Sequence, residues 1–129
     1  MLGPTLSLMP DPIVLAPEDA KLVTLARATR ARTSARQGAA VRDLDGRTYA
    51  AATVELTHLH VSAVGGCVAM AVASGARGLE AVVLLGEGEP DASNLDASDL
   101  AVVSEFAGPG VPIFTGDARG SITARTESA

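Results

Sequence analysis

Gly38-Ala39-Ala40-Val41-Arg42, Asp43-Leu44-Asp45-Gly46 and Arg47-Thr48-Tyr49-Ala50-Ala51-Ala52-Thr53-Val54 follow one another without interruption. They read as strand, tight turn and strand, because Asp and Gly between two runs of small and apolar residues supply turn chemistry. Downstream, Leu79-Glu80-Ala81-Val82-Val83-Leu84-Leu85 is an aliphatic run of strand length, suited to the middle of a sheet. Around these strands the spacing predicts helices. Pro17, Glu18 and Asp19 suit the first turn of a helix reaching about Ser34, with Leu22, Val23, Leu25 and Ala26 as its apolar side and Lys21, Arg27 and Arg30 outside. A second, uncharged helix is expected from about Leu59 to Ser74, closed by Gly75 and, being apolar all round, covered on every side. A third runs from Asp96 to Phe106, followed by a strand over Val111 to Thr115 and a last short strand over Ser121 to Arg125 before a frayed end. This order predicts an α/β fold with a mixed sheet and helices on both faces. Residues 1–16 are expected to be a flexible tail and residues 17–126 the domain.

The chain has 129 residues, enough for one domain that buries about two-thirds of its unfolded surface. Aromatic residues are only 2% of it (Tyr49, Phe106 and Phe114), so Ala, Val and Leu must build the core. Small side chains bury little area each, and a domain of this kind gains by burying more against copies of itself. A homo-oligomer is therefore expected. Gly65, Ala69 and Ala73 recur every four residues and form a smooth ridge, a packing feature of the helix that also suits a subunit contact.

A net charge of -5 argues against dedicated nucleic-acid binding, which needs a concentrated positive surface. Arg27, Arg30, Arg32 and Arg36 cluster nonetheless, either complementing a helix C-terminus or forming a small anion patch. Cys67 is the only cysteine, which excludes an internal disulfide and a thiolate zinc cluster and fits a reducing cytoplasm. Pro4, Pro10 and Pro12 interrupt an N-terminus without a basic region, unlike a signal peptide. Leu56 to Ala76 is uncharged and long enough to span a bilayer. Its histidines, hydroxyls and glycines, without an aromatic belt or basic flank, favour a buried helix and no membrane partner.

The hairpin Gly38–Tyr49 resembles the first hairpin of small cytidine deaminases, and Val54-Glu55 falls at that family's Asn-x-Glu ribose motif. Ala71-Val72-Ala73-Ser74-Gly75 resembles the end of its zinc-bearing helix, and Ser104-Glu105-Phe106 the end of the helix that begins Pro-Cys-x-x-Cys. The resemblance covers roughly residues 20 to 115 and implies a three-layer α/β/α sandwich, zinc, hydrolytic deamination of cytidine to uridine and assembly as a dimer or tetramer. Carried over by position, the family's Cys-Ala-Glu falls on Ser62-Ala63-Val64, its paired cysteines on Asp96 and Asp99, its ribose Asn on Thr53 and its ribose Glu on Glu55.

Deamination of this type needs a zinc-activated water and a glutamate that moves protons. Ser62 is a poor neutral ligand and Val64 moves no proton; loss of the general acid/base alone costs about a hundred- to ten-thousandfold. The expectation is a non-catalytic cytidine deaminase-like protein, a pseudoenzyme with no catalytic residues and no metal or other cofactor, acting as a binding or assembly module. Two alternatives stand beside it: a nucleoside deaminase with an atypical site, and a protein-protein interaction scaffold. Thr53 and Glu55 are the candidate ligand-binding residues for a nucleoside, with an exposed acid at a strand end as the plain alternative for Glu55. Asp96 and Asp99 read as a capping box, and the competing reading is a new metal site from His58, His60, Asp96 and Asp99. Cys67, pointing away from that position, reads as a small core residue.

Overall fold

The computed structural model describes residues 13–87 and 95–129. Helix α1 spans Pro17–Thr33, strands β1 and β2 span Gln37–Asp43 and Thr48–Ala52, and the short strands β3 and β4 are Val54–Glu55 and His60–Val61. Helix α2 is Ala63–Ala73, β5 is Leu79–Gly86, α3 is Ala97–Ala107, and β6 and β7 are Pro112–Asp117 and Ile122–Glu127. Five strands form one mixed sheet in the order β2-β1-β5-β6-β7; β3 and β4 pair separately as a small antiparallel ribbon. Among the described strands only β5 and β6 run parallel, and α3 belongs to the connection between them.

Strand β5 divides the interior, because successive side chains leave opposite faces of a sheet. Val82 and Leu84 join Ala39, Val41 and Ile113 beneath α2 and α3, whereas Ala81, Val83 and Leu85 join Ala40 and Phe114 beneath Leu22 and Ala26 of α1. The result is the expected α/β/α sandwich. Its small residues let the layers approach closely. A Cβ on Gly38 would collide with the Ala26 carbonyl and with Cβ of Arg30, so β1 passes close under α1 only as glycine. Arg42 then ties three elements together, at 3.0 Å from Asp19 of α1 and 2.8 Å from Glu80 of β5.

The turn after β1 is organised by Asp43, whose side chain is wholly buried. Its Oδ1 accepts from the backbone N–H groups of Asp45 and Arg47, both at 2.9 Å. Oδ2 accepts from Arg47 Nε at 3.0 Å and from the Tyr49 hydroxyl at 2.8 Å. Gly46, at φ 84°, supplies the left-handed residue the turn needs. Burial alone would push the Asp43 carboxyl up, but the hydrogen bonds from Tyr49, Arg47 and Asp45, with the Arg47 charge, hold it below its ordinary range.

Several expectations change in detail. The second helix starts at Ala63, about four residues later than expected, because His60 and Val61 are used as strand β4 and Ser62 caps the helix. It is also not covered on every side: Ala63, Val64, Cys67, Val68 and Ala71 are buried, while Ala69, Met70, Val72 and Ala73 face outward. Its end is as expected, with Gly75 at φ 80°. Strand β2 stops at Ala52 and the chain turns into β3. Leu25, expected on the apolar side of α1, is 36% exposed. The last strand continues to Glu127, and Ser128 is buried, donating to the Gly108 carbonyl and accepting from Val111 N–H, so the chain end is held there rather than frayed. Ile13 and Leu15 pack against the α1 side of the core. Among the described residues, no helix is long and apolar enough to cross a membrane.

Candidate functional site

The starts of α2 and α3 meet at an open cleft of about 210 Å³, and Ser62, Asp96 and Asp99 are among the residues that line it. Each of these residues belongs to a helix start, where backbone N–H groups lack partners. Ser62 accepts from Gly65 N–H at 2.9 Å and so caps α2. Asp96 accepts from Asp99 N–H at 2.8 Å and caps α3, the role its Asp-Ala-Ser-Asp sequence predicts. The reciprocal half of a capping box is not made. Instead the Asp99 side chain turns across to α2, where Oδ1 accepts from the Ser62 hydroxyl at 2.8 Å. Burial and the nearby Asp96 charge push the Asp99 carboxyl up, and the Ser62 hydrogen bond offsets only part of this.

Arg36, Gln37, Thr53, Glu55 and His60 line the same cleft. Thr53 sits where β2 turns away, and its hydroxyl accepts from Gln37 N–H at 3.2 Å and donates to the Gln37 carbonyl at 3.3 Å. It fastens the end of β2 to β1. Glu55 lies on β3 opposite His60. Its Oε1 is 2.8 Å from Arg36 Nε, with both side chains more than half exposed. A pair so exposed contributes little to stability. It does set Glu55 against a cation at the cleft's edge.

The structure thus brings Thr53, Glu55, Ser62, Asp96 and Asp99 to one cleft. Val64 is wholly buried in the core and does not line it. His60 lines the cleft but His58 does not, so the four-residue cluster with Asp96 and Asp99 is not gathered there. Among the described residues, no three His, Cys, Asp or Glu side chains are grouped to hold a metal ion. Cys67 lies on the buried face of α2, its thiol contacting the Tyr49 carbonyl at 3.6 Å, and burial pushes it up to about 12. The arginine cluster does not form one patch. Arg27 donates to the Arg119 carbonyl, Arg30 pairs with Glu87 and Arg36 with Glu55, while Arg30 and Arg32 lie in the last turn of α1.

Arg36 is the cleft residue that sequence reasoning placed only in a charge cluster. Nothing local marks it, because its partner Glu55 lies beyond a whole hairpin. The Ser62–Asp99 contact was hidden for the same reason. Ser62 as a cap, however, had a readable signal: a serine directly before an unbroken apolar helix.

A family model described as cytidine deaminase-like matches residues 15–120, and the chain belongs to that family. Its fold is that of solved cytidine deaminases. The Burkholderia pseudomallei enzyme superposes with a TM-score of 0.72 at 23% identity, covering 84% of this chain and 91% of that one. The Mycobacterium leprae enzyme gives 0.65 at 20% identity, covering 89% and 96%. That from Mycobacterium tuberculosis gives 0.57 at 22% identity, covering 72% and 80%. No curated protein matches the chain.

Proposed function

We propose that this protein is a non-catalytic member of the cytidine deaminase-like family that works as a homo-oligomeric binding or assembly module. The observation that carries the reading is the donor set at the cleft. The family's zinc would require three side chains of the thiolate or imidazole kind around an open position. The groups standing there are a serine hydroxyl that already donates to Asp99 and two aspartates at a helix start, with the one thiol of the chain buried elsewhere. They do not fit zinc, and the buried Val64 supplies no proton-moving group.

Assembly is supported by the outer face of α2. Met70 and Val72 are 39% and 54% exposed, flanked by the exposed Ala69 and Ala73, on a helix without a single charge. Contiguous exposed apolar surface marks interaction sites on proteins, and four neighbouring apolar residues on one uncharged helix face support a subunit contact there. A nucleoside remains the ligand to try at the cleft, through Glu55, although that carboxylate must share itself with Arg36.

Metal analysis, a cytidine deamination assay and sedimentation at tens of micromolar test the proposal together. No stoichiometric zinc, no uridine formed and a dimer or larger species are expected, with Val72→Asp shifting the species toward monomer. One equivalent of zinc with turnover restores the deaminase reading; a monomer at every concentration removes the assembly role.

A further inference from the structure

We propose that a hydrogen bond takes the metal's place as the joint between α2 and α3: the Ser62 hydroxyl caps α2, donates to Asp99, and so ties the two helix starts together without any ion. The inference rests on the non-catalytic reading and adds what replaces the lost group. Three contacts make the joint continuous. Gly65 N–H donates to Ser62 Oγ at 2.9 Å, Ser62 Oγ donates to Asp99 Oδ1 at 2.8 Å, and Asp99 N–H donates to Asp96 Oδ1 at 2.8 Å. Asp99 is only 3% exposed, so its carboxylate has given up most of its water and needs the partner it has.

The alternative for each residue is local and separate. Ser62 would simply cap α2, Asp96 would cap α3, and Asp99 would be an acid in a first helical turn facing solvent. The geometry points to the joint because Asp99 is turned inward, away from the solvent that a lone acid at a helix start prefers. It is also consistent with Gly65, where an added Cβ would lie 2.8 Å from Ser62 Oγ and displace the hydroxyl. The small residue keeps room for the joint.

The test is thermal unfolding of the full chain as wild type, Ser62→Ala, Asp99→Ala and the double variant, with Asp99→Asn as the conservative change and zinc or chelator added to each. Each alanine should lower the melting temperature by about 3–6 °C, and the double variant should fall by clearly less than the sum, because each change breaks the same contact. Asp99→Asn keeps an oxygen for the Ser62 hydroxyl and should retain most of the stability. Gly65→Ala should resemble Ser62→Ala. Neither equimolar zinc nor chelator should move the wild-type transition. Strictly additive effects with no zinc response overturn the joint while leaving the non-catalytic reading intact. A zinc-dependent rise of several degrees in the wild type overturns both. If the alanine variants do not fold, Asp99→Asn decides: melting as low as Gly65→Ala would mean the shared oxygen is not what holds the helices.

Discussion

Asp43 and Asp99 are both buried carboxylates, and the protein treats them in opposite ways. Asp43 accepts from two backbone N–H groups, a guanidinium and a phenol, and its carboxyl is held below the ordinary range. Among the described residues Asp99 has one side-chain donor, Ser62, and burial pushes its carboxyl up. Burial does not by itself set a carboxylate's charge; the number and kind of donors around it do. The carboxylate saturated with donors belongs to a turn in the frame. The one left wanting donors lines the cleft.

The most damaging way to probe this contrast is to remove the saturated carboxylate. Asp43→Ala strands two backbone N–H groups and the Tyr49 hydroxyl, and the melting temperature should fall by on the order of 10 °C. An effect no larger than that of Asp99→Ala would break the comparison. Acid sharpens it further. The Asp43 carboxyl is depressed in the folded state, so its contribution is present above the unfolded value of about 4 and lost as pH falls through the folded one. A melting curve followed from pH 6 to pH 2 should show this loss in the wild type. In Asp43→Asn that part of the acid limb should be flattened.

Asp99 has the opposite sign. Its raised carboxyl favours folding most below about pH 4, where both states are neutral at this site, and that advantage is lost as pH rises through the folded value. The melting temperature of Asp99→Asn relative to wild type should therefore improve by a few degrees from pH 4 to pH 7; no change would mean that Asp99 is not desolvated. Cys67 gives the smallest effect. Burial pushes its thiol to about 12, so labelling by a thiol reagent at pH 8 should be slow in the folded protein and fast once it is unfolded.

The frame was more legible in the sequence than the cleft. The continuous aliphatic run of β5 announced a strand buried on both faces, and the Asp-Leu-Asp-Gly turn announced a hairpin, because both signals are local. Asp96 was readable as a cap for the same reason. The two-residue strands β3 and β4 left no pattern to read, and the uncharged stretch before Ala63 hid the true start of α2. The deciding contacts of the cleft, Ser62 with Asp99 and Arg36 with Glu55, join residues far apart in the chain. Sequence placed Ser62 and Asp99 at one site through the family resemblance, but not in a bond to each other. Ser128 was missed because a serine near a chain end carries no mark of burial.

The antiparallel pairing of β1 with β5 also has a kinetic consequence. The β1–β2 hairpin can form from neighbours alone, but β5 reaches β1 only after β2, the β3–β4 ribbon and α2 have been drawn into one loop. Until then the inner face of α2 has no complete sheet on which to bury itself. Loop closure must precede the contacts that repay it. Refolding on the scale of milliseconds to seconds, rather than microseconds, is the natural tempo of such a topology, and during that interval the uncharged helix is the segment most open to association with the wrong chain.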